Sequence, residues 1–241
     1  MPRRSQRVAV YVAAYCGPRA GEQWALRRRD FDLLHRTLAI ERAVKEINTS
    51  AASMEDTKGL LLGPTKTHAA RSQRLPRFLA DMMEAFLAEP SGAPDRPTLV
   101  IRDGEDGPEF DTSSDPFDPD ALVFTSATGC ALRHNQFYKR VFKRTIKGDP
   151  DDPEPAKRRA PALPARLHGL RWHDLRHTCA SLSLAAPGGN LHVVKERLGH
   201  DDIRTTINVY GHLLPSVDEA LADGLDAMHA ESAPNNVLAL N

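Results

Sequence analysis

The sequence has little that would tie it to an oxidising compartment or to a bilayer. Its three cysteines, Cys16, Cys130 and Cys179, lie far apart and form no Cys-x-x-Cys pair, which argues against a disulfide framework and a zinc knuckle. No run of about 18 apolar residues occurs. The basic start, Met-Pro-Arg-Arg-Ser-Gln-Arg, leads only into a short apolar stretch over 8–15 with no cleavage site. The expectation is a soluble, cytoplasmic protein with no membrane partner. Net charge is also missing, because 32 basic residues balance 32 acidic ones, and a nucleic-acid binder should carry a positive footprint. The distribution is less neutral than the sum. Acids crowd into 95–120, while bases cluster at 27–29, 71–77, 139–147 and 157–171, so a neutral total can hide a basic face.

What is present is a chain of 241 residues, 41% hydrophobic, enough for one large domain or two small ones. Residues 8–16 are apolar on nearly every side and predict a buried helix ended by Gly17-Pro18, with a second short helix starting near Gly21. From 36 to 76 the pattern turns extended, at Thr37-Leu38-Ala39-Ile40, Leu60-Leu61-Leu62 and Arg74-Leu75-Pro76, and predicts a small antiparallel sheet. Helical spacing returns over 77–87, where Phe78, Met82 and Phe86 recur every four residues with Leu79 and Met83 beside them. Residues 95–120 are acidic and rich in Pro and Gly, apart from Leu99-Val100-Ile101, and predict a surface insertion. A helix is expected over 134–146 with Phe137, Val141 and Ile146 facing a core. The prolines of 148–166 then exclude regular helix. Three more helices follow, over 174–186, 191–198 and 203–213, the last capped by Asp202.

The densest chemical signal is Arg171-Trp172-His173-Asp174-Leu175-Arg176-His177-Thr178, followed by Leu198-Gly199-His200 and then Thr205-Thr206-Ile207-Asn208-Val209-Tyr210-Gly211-His212. Each piece has a structural explanation of its own. Histidines four apart on a helix often pack or cap, and Tyr210 shares an apolar face with Ile203, Ile207 and Leu214, where a core tyrosine would sit. Together the pieces supply what phosphoryl transfer requires: cations for the non-bridging oxygens, a nucleophile, and groups that move protons.

In this order, His-x-x-Arg, Leu-Gly-His and Tyr-x-His resemble the second signature box of the tyrosine recombinases, phage integrases and Xer-type enzymes in particular. Gly17-Pro18-Arg19-Ala20-Gly21-Glu22, followed by Ala25-Leu26-Arg27 and Asp30-Phe31-Asp32-Leu33, is similar to the first box. Lys66, in Thr65-Lys66-Thr67, sits where the family carries a lysine on a β-hairpin. Pro18 and Gln23 depart from the usual leucine and aliphatic residue without removing a reactive group. The resemblance runs over 8–214, nearly the whole chain.

It implies an α+β, mostly helical catalytic domain over 1–214 with a small antiparallel sheet near the N-terminal third, insertions near 90–120 and 148–166, and a C-terminal helix and tail over 215–241. It also implies a site-specific recombinase whose Tyr210 attacks double-stranded DNA and leaves a 3′-phosphotyrosine, with no metal, ATP or other cofactor. Tyrosine is ionised to about one part in a thousand at neutral pH, so it needs a base or a cationic field, and His173 is the expected proton acceptor. Arg19 and Arg176 would hold the equatorial oxygens, His200 would bond a non-bridging oxygen, and Lys66 would protonate the leaving 5′ oxygen. Arg27, Arg28, Lys139, Arg140 and Lys143 are the expected contacts to DNA phosphates. Family members work as tetramers on paired DNA sites, and residues 217–228 carry an apolar face suited to a neighbouring protomer. Arg19 lies too near Met1 for a preceding DNA-clamping domain, which is therefore expected to be absent. Three rivals remain open: a zinc pair at His173 and His177, a non-cleaving integrase remnant that still binds DNA, and a type IB topoisomerase. The first suffers because Asp174 stands where a metalloprotease helix needs glutamate.

Overall fold

The computed structural model describes residues 3–46, 60–65, 70–89, 98–102, 108–111, 115, 117–126, 131–148, 163–211, 222–223 and 225–229. Lys66, Cys130, most of the proline-rich segment and residues 217–221 fall outside the described residues.

Helix α1 (Arg3–Cys16) buries Val8, Ala9, Val12, Ala13 and Cys16, as its all-round apolar pattern requires, and it packs against the later helix α6 (Asp174–Ala185). A short helix, α2 (Ala20–Trp24), follows and sends Trp24 into the main core. Helix α3 (Arg77–Leu87) has the expected span, with the Leu79–Met83 stripe deepest and Met82 and Phe86 packed partly buried beside it. Leu79, Ala80, Met83 and Leu87 are buried, while Phe78 stays at the rim and meets the Tyr15 ring edge-on at 4.8 Å. Two interleaved apolar stripes were available on this helix, and packing against α1 selects the one built on Leu79 and Met83.

The extended region makes two small sheets where one was expected. In the first, β1 (Phe31–Asp32), β2 (Thr37–Ile40) and β5 (Arg71–Arg74) run antiparallel, with Leu38 opposite Gln73. In the second, β3 (Arg42–Glu46) pairs antiparallel with β4 (Leu60–Pro64). Strand β6 (Thr98–Arg102) joins β4 in parallel, and β7 (Pro108–Asp111) closes the sheet antiparallel to β6. Part of the presumed insertion is thus sheet. Thr-Leu-Val-Ile-Arg has the β-branched, apolar character that an open strand edge accepts, and β4 offers such an edge.

Residues 134–147 form one helical run: α4 (His134–Phe137), a π turn (Tyr138–Phe142) and α5 (Lys143–Lys147). The π turn has a packing reason. Residues five apart on an α-helix point about 140° away from each other, and the wider turn lets Phe137 and Phe142 meet the same indole, Trp172, at 5.1 and 5.0 Å. Trp24 lies 5.2 Å from it on another side. This aromatic cluster anchors Trp172 immediately before His173.

The last helices, α6, α7 (Leu191–Leu198) and α8 (Ile203–Tyr210), share a smaller core of Cys179, Ala180, Leu184, Val194, Leu198 and Tyr210. Asn190 caps α7 through the Val193 N–H, and Asp202 caps α8 through the Arg204 N–H. The buried face of α8 is Thr206 and Tyr210; Ile203 and Ile207, expected beside Tyr210 in the core, are exposed. Of the predicted C-terminal helix, 225–229 are helical with Leu225 and Met228 exposed. Among the described residues no helix is long and apolar enough to cross a membrane.

Candidate active site

The site begins where α1 stops. Gly17 takes a left-handed turn at φ 63°, and a side chain there would strike Leu198 and Cys179, so the chain can bend this closely past α6 and α7 only with glycine. The bend places Arg19 at the N-cap of α2 with its guanidinium toward Gly199: Arg19 Nη1 donates to Glu22 Oε1 at 2.9 Å and Nη2 to the Gly199 carbonyl at 3.3 Å. Glu22, itself buried, binds a second cation through its other oxygen, Arg71 Nη2 at 2.5 Å. Burial alone would raise the Glu22 carboxyl, but the hydrogen bond and charge of Arg71, with help from Arg19, hold it below the usual carboxylate range.

Arg176, on α6, is the most deeply buried of the three guanidiniums at 3% exposure. Nη1 donates to the Gly17 carbonyl at 2.5 Å and Nη2 to the Leu198 carbonyl at 2.6 Å, which ties the beginning of the site to its end. Burial, and then the neighbouring Arg19 charge, push it down to about 10, so it stays a cation at neutral pH.

Gly199, left-handed at φ 65°, ends α7 and turns the chain into His200. The imidazole faces Thr206: Nδ1 and the Thr206 hydroxyl lie 2.9 Å apart. Burial, reinforced by Arg176, Arg19 and Arg71, pushes His200 down to about 4, so the ring is neutral at pH 7. Ten residues after His200, the Tyr210 ring is buried at 4% exposure, and its hydroxyl lies 2.7 Å from His177 Nδ1. Burial raises the phenol above its ordinary value and the Arg176 charge opposes this only in part, so Tyr210 rests protonated. His173 meets the His177 ring edge to face at 5.1 Å and is itself exposed to solvent. Desolvation, with His177 and Arg176 nearby, holds it below its ordinary value.

The sequence profile of the phage integrase family matches residues 3–216. The chain belongs to the phage integrase family. Within it, the integrase of Staphylococcus phage L54a is 25% identical over 221 residues, covering 91% of this chain and 51% of that protein. The ICEBs1 integrase of Bacillus subtilis (strain 168) is 47% identical over a shorter stretch of 60 residues, 25% of this chain and 16% of that protein. Among solved structures, the Tn1549 transposon integrase in complex with transposon right end DNA superposes with a TM-score of 0.62 at 18% identity, covering 93% of this chain and 59% of that one. The XerH site-specific recombinase in its post-cleavage complex with palindromic difH gives 0.50 at 19% identity, covering 92% and 47%. These likenesses establish a shared tyrosine-recombinase fold. The chain spans about half the length of the L54a integrase.

Of the integrase residues expected in the site, the structure brings Arg19, Arg176 and His200 together around the Gly199 turn, with Tyr210 in the field of Arg176. Lys66 lies outside the described residues. The group in contact with the Tyr210 phenol is His177, where His173 was expected: on α6 the position four residues later is the one that faces α8. That contact also occupies one nitrogen of the proposed zinc pair, and among the described residues no three His, Cys, Asp or Glu side chains gather as ligands.

Two of the expected DNA contacts need correction. Arg27 is buried and pairs at 2.5 Å with Asp120, which also pairs with Arg29, so burial keeps it from a DNA phosphate. Arg28 donates to the Leu87 carbonyl at 2.5 Å and lies over the Phe117 ring. Lys139, Arg140 and Lys143 are exposed along one helical run.

Sequence reasoning weighed His177 only as half of a zinc pair and passed over Arg71 and Thr206. His177 and Thr206 stood inside the quoted motifs as a histidine beside the arginine and the second of two threonines. Arg71 was counted as one base of a surface cluster, and only its pairing with Glu22 distinguishes it.

Proposed function

We propose that this chain is the catalytic part of a site-specific DNA recombinase that cuts and rejoins strands through Tyr210. The observation that carries the reading is the convergence of Arg19, Arg176 and neutral His200 on one turn, beside a buried tyrosine hydroxyl that already has a proton acceptor. A scissile phosphate placed there would have its equatorial oxygens faced by two guanidiniums, where donors of this kind are worth about 3–4 kcal/mol of barrier each. The Tyr210 oxygen attacks phosphorus, the 5′ oxygen leaves, and a 3′-phosphotyrosine bond forms. The phenol proton passes to His177, which touches it. Lys66 is assigned the proton for the leaving oxygen, by resemblance to the family. The phosphotyrosine keeps the energy of the broken bond, so a second 5′ hydroxyl can reverse the step without ATP, and no metal takes part. Double-stranded DNA is the substrate, and a tetramer of protomers on two paired sites is the working assembly, in a cytoplasmic setting.

The test is a nicked duplex built from the DNA that flanks the gene, incubated with the protein and then denatured. A denaturant-resistant protein–DNA adduct is expected from the wild type and none from Tyr210→Phe. An adduct that persists in Tyr210→Phe would reject this nucleophile. Retarded DNA that never becomes covalent would favour the non-cleaving remnant instead.

A further inference from the structure

Thr206 is the one polar side chain on the inner face of α8 apart from the nucleophile, and it is fully buried. Hydroxyl side chains inside helices ordinarily donate back to the carbonyl four residues earlier. In this fold Thr145 does so to Val141 at 2.8 Å, Thr178 to Asp174 at 3.0 Å and Ser181 to His177 at 3.2 Å. Thr206 breaks that habit. Among the described residues its hydroxyl has one partner, His200 Nδ1 at 2.9 Å.

A neutral imidazole carries its proton on one nitrogen or the other, and the partner of one nitrogen fixes the state of the second. If the Thr206 O–H donates to Nδ1, that nitrogen is bare and the proton sits on Nε2, leaving a donor for a phosphate oxygen. If Nδ1–H donates to Thr206, Nε2 is a bare acceptor and would repel the same oxygen. Double protonation is disfavoured by burial of the ring and by the charges of Arg176, Arg19 and Arg71, which outweigh Asp201. The chain therefore has to select a tautomer, and the hydroxyl that has given up its helical back-bond is placed to do it.

We propose that Thr206 is a positioning residue that donates to His200 Nδ1 and so keeps a proton on Nε2, making His200 a standing donor to the scissile phosphate. The tautomer itself can be measured on the full chain without DNA; its use in cleavage rests on the recombinase reading.

Long-range 15N–1H correlation spectra of the histidine rings at pH 7 read the tautomer directly. Wild type and Thr206→Ser should show His200 with its proton on Nε2. Thr206→Val, which keeps the shape and loses the hydroxyl, should lose that single-tautomer pattern. In the adduct assay Thr206→Val should slow cleavage by about 10- to 100-fold, as for other partners that orient a ligating histidine, while Thr206→Ser stays close to wild type. A proton on Nδ1 in the wild type, or an unchanged His200 spectrum in Thr206→Val, overturns the proposal. So does wild-type cleavage by Thr206→Val. Failure of the wild type to form any adduct would instead sink the recombinase reading, while the spectra would still decide whether Thr206 sets the tautomer.

Discussion

The cations of the site are gripped from several sides, whereas Tyr210 hangs from a thin helix. Arg176 is fixed by two backbone carbonyls from distant parts of the chain, and Arg19 and Arg71 share one buried carboxylate. Helix α8 buries little besides Thr206 and Tyr210, and Ile207 between them is 44% exposed. Each of those two residues meets a histidine through a single hydrogen bond. In the proposed role, the charge that faces the phosphate is preorganised by gathering three guanidiniums around one buried carboxylate, and the attacking tyrosine is left lightly held.

The strongest way to break this contrast is to remove the carboxylate that makes the cation cluster tolerable. Glu22→Ala leaves Arg19 and Arg71 facing each other without compensation, and a loss of about 3–5 kcal/mol is expected, read as a lower urea midpoint. A loss below 1 kcal/mol would mean that solvent, and not Glu22, screens the cluster.

On the other side, His177→Ala should slow single-turnover adduct formation by about a hundredfold or more while leaving the urea midpoint nearly unchanged. Added imidazole should restore part of the rate in His177→Ala and not in Tyr210→Phe. Equal rescue of His173→Ala, with His177→Ala near wild type, would return the role of proton acceptor to His173.

A third, smaller effect is visible in pH. His200 moves from an ordinary 6.5 down to about 4 in the fold. Between those values the unfolded chain takes up the extra proton and the folded one does not, so stability falls as pH drops through this window; above it both states are neutral and the contribution is flat. His173, also lowered, acts in the same direction. Denaturation midpoints measured from pH 7 to 4.5 should decline, and His200→Gln should flatten part of that decline. An identical slope in the variant would remove His200 from the account. The mildest test concerns the exposed bases. Replacing Lys139 and Lys143 with alanine should weaken DNA binding on all sequences alike and reduce the log–log salt slope by about two. An unchanged slope would place the DNA on another face.

How much of this was legible in the sequence follows from the same contrast. Helix α7 is bounded as expected, because an apolar periodic run ends in a glycine that takes the left-handed turn. The span of α3 was legible and its buried stripe was not, since Phe78 and Leu79 begin equally apolar series and only the neighbouring α1 chooses between them. Strand β6 was hidden because its five residues stand in acidic surroundings and pair with a strand far back in the chain. In the site, residue types and order were enough to gather Arg19, Arg176, His200 and Tyr210. They could not show that Arg27 is buried against Asp120, that Arg71 is not a surface base, or that His177 and not His173 meets the phenol. Those facts depend on which face of a helix or strand turns inward.

The two bonds of Arg176 also bear on how the protein is made. A ribosome delivers Gly17 long before Arg176, and Leu198 later still, 22 residues further along. Until that stretch has emerged, the carbonyls that seat the guanidinium have no cation and the first arginine has no companion. A chain still being translated therefore has no assembled cation cluster until Leu198 has emerged and the last helices can close on the first.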